Sequence, residues 1–464
     1  MPVISSALNY LQAQGAIYQV IACPARDNLL QMAQVAAVPP GKVLRATLLE
    51  SATGPLMAIL PCDRILDVEV LSARLGCDIW PAPEHAVAQL ISDADPHYLP
   101  ALPQAYGVQA IVDDSIANLD RFWLAAGDGS SLLGFESAMA GVIWRDAWHG
   151  NFARQRARLF RDDLDTESAE NAKQPNWPTA VQLRHRIQAL NELPPMPAMA
   201  QQLLRLRLNP QASADDLAKI VELDPSLAAQ VVSYAGSAYY GYLGTIGSLR
   251  DAITRVLGFE MVMNMALGLA IGKTLSIPAQ GPLGLVAYWR HAVTSAALAE
   301  RLAKQLPKHL GVRPGMAYLA GLLHDFGYLL LGHVFKPGFH QLNRLISFNP
   351  DLPLVDLETH ILGVRHDQLG AWLMRSWEMP DELTVVARWH HAEDYQGEHA
   401  GYLRVVMLVD RLLKPFTLSD APSSEIEPAL LSNLGLQRGQ ALAALTAVLE
   451  AQPGLEKLAQ QLAA

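Results

Sequence analysis

The stretch Gly321-Leu322-Leu323-His324-Asp325-Phe326-Gly327 sets an imidazole beside a carboxylate, just after the apolar run 316–323. Polar groups in surroundings that predict burial need hydrogen-bond partners or a metal ion. One His-Asp pair arises by chance in any long chain, so its company decides the reading. Ten of the fourteen histidines fall between His291 and His399, and several stand on apolar, helix-patterned segments. These are His291 in Tyr-Trp-Arg-His-Ala-Val, His366 in Gly-Val-Arg-His-Asp-Gln-Leu-Gly, and the doublet His390-His391. Asp410 follows in Val-Val-Met-Leu-Val-Asp-Arg-Leu-Leu. Imidazole and carboxylate ligands suit Fe, Mn, Zn or Ni, and a carboxylate such as Asp325 can bridge two ions. A single histidine on an apolar helix is more often a satisfied core residue, and only the accumulation argues for metal. His333, His340, His360 and His399 are read as surface or structural. Trp289, Trp372, Trp377 and Trp389 are read as core packing.

The elements that must carry these residues are helical. Met199, Leu203, Leu204 and Leu206 form a helical stripe after the stiff entry Leu193-Pro194-Pro195-Met196-Pro197. Ser213-Ala214-Asp215-Asp216 caps a helix through Ile220 and Leu223, and Asp224-Pro225-Ser226 opens another with proline in its first turn. Ser248–Ile253 starts a third, ending near Leu257-Gly258. Strand-like alternation is nearly absent, so this region is an all-α domain.

The first third reads differently. Residues 43–50 and 55–61 form two strands joined by a turn at Ser51-Ala52-Thr53-Gly54, and 68–76 is a short helix stopped by glycine. Residues 108–114 and 121–127 are further strands, giving a compact α+β domain. Between the two regions, the acidic stretch Arg161–Asn171 and the prolines of Lys173–Pro178 mark a linker. The resulting division is 1–158, a linker at 159–178, an all-α domain at 179–415, and closing helices at 416–464 that pack on it.

Composition bounds the function. The chain has 464 residues, enough for two or three domains; 51% are hydrophobic and 17% charged, a globular mixture. A net charge of −10 and pI near 5.8 argue against broad phosphate-backbone binding. Cys23, Cys62 and Cys77 are scattered without CxxC spacing, as in reduced cytosolic proteins. No signal-peptide pattern opens the sequence and no apolar run reaches the roughly 18–20 residues a membrane span needs. The expectation is a soluble, cytoplasmic protein with no membrane partner.

The N-terminal pattern resembles the YbaK/prolyl-tRNA editing-like deacylases. The resemblance rests on the strand pair ending in Leu60-Pro61-Cys62-Asp63-Arg64, the Leu75-Gly76 helix end, Val112-Asp113-Asp114-Ser115, and the glycines of Ala126-Gly127-Asp128-Gly129. It implies an aminoacyl-tRNA deacylase fold in which a lysine on the first strand assists hydrolysis. Arg45 fills that position here, and arginine is a rigid fork, not a compact ammonium. The glycine-rich loop expected before the Val112 strand is replaced by 98–105, Tyr-Leu-Pro-Ala-Leu-Pro-Gln-Ala. The domain is therefore read as a degenerate ligand- or partner-binding module.

The helical region closely resembles the HDOD family, output-type relatives of HD phosphohydrolases. The carrying residues are Leu193–Pro197, Ile220–Leu227, Ile246–Ile253 and Leu257-Gly258, in the expected order. The resemblance implies a helical bundle used in bacterial signalling. Set beside HD-GYP-type phosphodiesterases, His291, His324, Asp325, His366, His390, His391 and Asp410 fall in order for a two-metal site that clamps a phosphoester. The position four before His291, often a glutamate ligand there, is Ala287, and Phe326-Gly327-Tyr328-Leu329 stands where Gly-Tyr-Pro would.

The expected architecture is an α+β YbaK-like domain followed by an all-α HD-type bundle. The expected function is signalling through a protein partner or a small-molecule or nucleotide ligand, with one or two Fe, Mn, Zn or Ni ions and no nucleotide cofactor. The alternatives are a metal-dependent phosphohydrolase with Asp325 at its centre and an aminoacyl-tRNA deacylase acting on tRNA through Arg45.

Overall fold

The computed structural model describes residues 5–156, 195–237, 239–242, 244–416 and 419–463. The proposed linker at 159–178 and the entry residues Leu193-Pro194 lie outside these. The described residues form two compact units. One comprises the N-terminal residues together with Arg344–His360; the other holds the remaining helical residues.

The first unit is built on a mixed eight-stranded sheet. Its strands are β1 (Gln19–Ala22), β2 (Val43–Ser51), β3 (Gly54–Pro61), β5 (Ile79–Pro81), β6 (Gln109–Asp113), β7 (Arg121–Ala125), β8 (Ser131–Glu136) and β9 (Trp148–Gly150). They run β1-β8-β7-β2-β3-β6-β9, with β5 pairing the end of β2. The expected turn at 51–54 closes the β2–β3 hairpin, which pairs from Leu44↔Pro61 to Ser51↔Gly54. Gly54 takes φ 115 there, which a side chain resists. β4 (Arg64–Leu66) and β10 (Ala153–Gln155) form a separate antiparallel pair.

Alternation along β2 divides its side chains between two cores, as a period-two strand must. Leu44 and Leu48 pack with Phe122, Phe135 and Trp144. Leu49, two pairs on from Arg45 and of the same parity, packs with Leu56, Leu60, Leu66, Phe152 and Phe348. Phe348 comes from Arg344–His360, a segment that sequence reading kept inside the all-α region.

The second unit is helical. Ser213 and Asp216 make a reciprocal capping box for Ala214–Val221, and Asp224 caps Pro225–Ala235 with its carboxylate on the Leu227 N–H. Ser248 caps the next helix, which continues as a π-helical stretch, Ala252–Leu257. The helices Phe259–Gly272, Leu285–Ala303, Pro314–Leu323 and Phe326–Val334 are buried along most of their lengths. Among the closing helices, Gln452–Ala463 is tied to Leu285–Ala303 by the forked pair Arg290–Glu456 at 2.7 and 2.8 Å. Among the described residues, no helix is long and apolar enough to cross a membrane.

Candidate metal centre

All seven residues singled out in sequence meet at one place in the helical unit. His291 projects from Leu285–Ala303. His324 closes Pro314–Leu323, Asp325 is the N-cap of Phe326–Val334, and His366 is the first residue of His366–Ser376. His390 caps the end of Asp381–Trp389, and Asp410 lies within Ala400–Leu413. Two glycines permit the approach. A Cβ on Gly321 would lie 2.8 Å from the Ser295 carbonyl oxygen, and one on Gly327 would lie 1.9 Å from that of His366. Only hydrogen fits at either crossing.

The donors fall into two groups. In the first, His291 Nε2 lies 3.0 Å from His324 Nε2, 3.2 Å from Asp325 Oδ2 and 3.7 Å from Asp410 Oδ1. His324 Nε2 lies 3.4 and 3.5 Å from the same two carboxylates. In the second, His366 Nε2 is 3.0 Å from His390 Nε2 and 3.2 Å from His391 Nε2. Asp325 Oδ1 reaches into this group, 3.4 Å from His366 Nε2 and 3.3 Å from His390 Nε2. An eighth residue, Asp420, completes it: its Oδ2 lies 3.2 Å from His391 Nε2 and 3.5 Å from His366 Nε2.

The residues fit a metal by three tests. Ligands held about 2.1 Å from one ion stand roughly 3.0–3.5 Å apart, the spacing seen here. The Nδ1 atoms of His324 and His390 face the carbonyl oxygens of Gly321 and Val386 at 2.9 and 3.0 Å. A proton on each Nδ1 leaves the Nε2 lone pairs aimed at the centre. Finally, Asp420 Oδ1 is buried without a hydrogen-bond partner, a costly state that a cation removes.

Electrostatics agree. Burial pushes the His324 imidazole down, but Asp325 and Asp410 outweigh it and lift it to about 10. Burial likewise favours a neutral Asp325, yet His324, His291, His366 and His390 hold it well below the usual carboxylate range. Positive charge is in demand here, whether supplied by protons or by metal.

Around the ligands, Tyr328 stacks on His366 at 4.1 Å between centroids and donates its hydroxyl to Asp420 Oδ2 at 3.3 Å. The adjoining cavity, lined by His390, His391, Glu393, Met407, Asp410, Arg411, Ala421 and Pro422, measures about 10 Å³. That is room for about one water molecule.

Ala287 offers no ligand, as its side chain dictates. His333 accepts from the Ser276 N–H at 3.2 Å, His360 lies in the first unit, and His399 is a helix N-cap with φ 60. Sequence reasoning missed Asp420, which lies in a non-helical stretch with no periodicity to give it a facing. Arg45 is buried in the first unit.

The fold and site thus define a helical bundle carrying a histidine–aspartate cluster that could hold metal ions, on a chain that also bears an editing-type α/β unit. Residues 193–393 match the HDOD domain and residues 23–139 the aminoacyl-tRNA editing domain. A protein from Marinobacter aquaeolei VT8, provisionally named a signal transduction protein, is 30% identical; its crystal structure matches 98% of this chain and 99% of its own with a TM-score of 0.80. An HDOD domain protein with unknown function from Geobacter sulfurreducens is 22% identical. It matches 60% of this chain and 97% of its own at a TM-score of 0.51, a likeness of fold alone. A protein of Treponema pallidum (strain Nichols), described only as uncharacterized, is 22% identical over 253 residues, 54% of this chain. The match spans about half, 48%, of that relative's length. The chain belongs to the HDOD family, in a form that carries an aminoacyl-tRNA editing domain ahead of the helical region. Both resemblances drawn from the sequence hold.

Proposed function

We propose that this chain is a regulatory protein whose HDOD region binds two transition-metal ions and signals through the partner or ligand it engages in that state. The observation that carries this reading is Asp325, whose two carboxylate oxygens serve different histidine groups. His291, His324 and Asp410 would hold one ion beside Oδ2; His366, His390, His391 and Asp420 would hold the other beside Oδ1. Bound ions would supply Lewis-acid chemistry and acidify a coordinated water. The chain's residues contribute orientation, through the carbonyls on Nδ1 and Tyr328 on Asp420, and exclusion of solvent.

The carboxylate shared by the two groups also favours a second reading, a metal-dependent phosphohydrolase, in which Asp325 would lie between the two ions. Space opposes it: the cavity of about 10 Å³ falls far below the roughly 300 Å³ at which ligand pockets begin. The test is elemental analysis of the full chain beside His324→Ala/Asp325→Ala, with turnover assayed on bis(p-nitrophenyl) phosphate, nucleotides and cyclic dinucleotides. Two ions, lost in the variant, with no turnover support the regulatory reading. Turnover that the variant abolishes replaces it with the hydrolase. No ion after reconstitution with Fe, Mn and Zn sinks both.

A further inference from the structure

Arg45 stands where the editing deacylases carry a lysine, yet it is only 2% exposed. A buried guanidinium normally finds a carboxylate for its fork. The acceptors of this one are all neutral: Thr47 Oγ1 at 3.1 Å, the Arg64 carbonyl at 3.3 Å, and the side-chain oxygen of Asn349 at 2.5 Å. Its Nε has no partner.

Asn349 is fully buried and spends its whole amide on this place. Its Oδ1 also accepts from the Leu66 N–H at 2.8 Å, and its Nδ2 donates to the carbonyls of Leu66 at 3.3 Å and Leu345 at 2.9 Å. The amide thus imitates a strand partner for Leu66 while capping Arg45. Beside it, Phe348 is buried among Leu49, Leu60, Leu66 and Phe152. The same segment is held by Arg156–Asp356 at 2.7 Å and faces His97 through Asp351 at 3.7 Å.

We infer that Arg344–His360 is a built-in occupant of the editing-type site, locked by the Arg45–Asn349 pair, so that the chain itself closes the place this fold offers to an aminoacylated RNA end. An RNA 3′ end and the Asn349 amide cannot both occupy the Arg45 fork. The domain is therefore held shut by a contact that can be released, and loss of the lysine is a separate matter. This inference does not depend on the metal centre.

The test uses the full chain and an alanine-charged acceptor-stem minihelix. Hydrogen exchange of the wild type should show amides in 344–360 as slow as those of the β2–β3 hairpin; free exchange there overturns the inference without any variant. Phe348→Ala/Asn349→Ala should release the segment, seen as at least tenfold faster exchange in 344–360. Minihelix binding should tighten at least tenfold in that variant, and adding Arg45→Ala should abolish the gain. Arg45→Lys should hydrolyse the charged minihelix only when combined with the releasing pair. Equal hydrolysis by Arg45→Lys in the closed chain would show the site was never shut. A released segment with no gain in minihelix binding would show that something else shuts it.

Discussion

Asp325 lies between His291 and His390, its Oδ2 3.2 Å from one Nε2 and its Oδ1 3.3 Å from the other. One carboxylate is thereby common to both donor groups, so the groups should fail together when it changes and separately when a histidine does. His391→Ala should retain about one ion per chain and His291→Ala the other. Asp325→Asn should lower both occupancies. Elemental analysis after dialysis reads all three; Asp325→Asn with two tightly held ions would show that no bridge exists.

Gly327 is the crossing on which His366 depends. A methyl group there would lie 1.9 Å from the His366 carbonyl oxygen, so the backbone of one helix must give way. Gly327→Ala should cost about 1–3 kcal/mol of stability, the usual range for overpacking, and should lower occupancy of the second group while leaving helix content intact. Thermal melting with elemental analysis checks it. Wild-type behaviour in both would mean that the crossing is loose.

Tyr328→Phe keeps the ring stacked on His366 and deletes the hydroxyl that meets Asp420. The loss should be about 1 kcal/mol, a typical net hydrogen bond, seen as a several-fold weaker second ion. Calorimetric titration with Zn or Mn reports it, and an unchanged isotherm would leave Asp420 positioned by its loop alone.

Cys62 supplies a pH prediction. Burial and then Asp63 push its thiol up, Arg45 and Arg156 oppose them, and the result is about 12. The raised value means the folded state holds this proton more tightly than the unfolded chain, whose thiol titrates near 9.0. The associated stability is present below pH 9 and is lost as pH rises towards 12. At pH 8, iodoacetamide should leave Cys62 unmodified in the native chain and alkylate it in denaturant. Mass spectrometry of the Cys62 peptide decides; rapid native labelling contradicts the burial.

Much of this was legible in sequence, for reasons that differ by residue. The β2–β3 hairpin was visible because its length and its turn residues 51–54 leave little choice, and the capped helices because Ser213, Asp224 and Ser248 each announce a start. The first seven donors were visible because helical segments carry a polar residue in an apolar setting. Asp420 was not, since a loop residue's direction is set by tertiary structure. The allegiance of Phe348 and Asn349 was equally hidden. An amphipathic helix end reads the same whichever core receives it, and the bond from Asn349 to Arg45 joins residues 304 apart.

The cluster of five imidazoles has a practical consequence for what the cell and the laboratory will find in it. The Nε2 atoms of His291 and His324 stand 3.0 Å apart, and that of His366 stands 3.0 and 3.2 Å from those of its two partners, the convergence that the proposed chelation of two ions requires. Nitrogen-rich sites follow the general affinity order in which nickel and copper outrank manganese and iron. The ion aboard should therefore record which metal was free when the chain folded. A nickel affinity column would erase that record, replacing the cell's choice with its own.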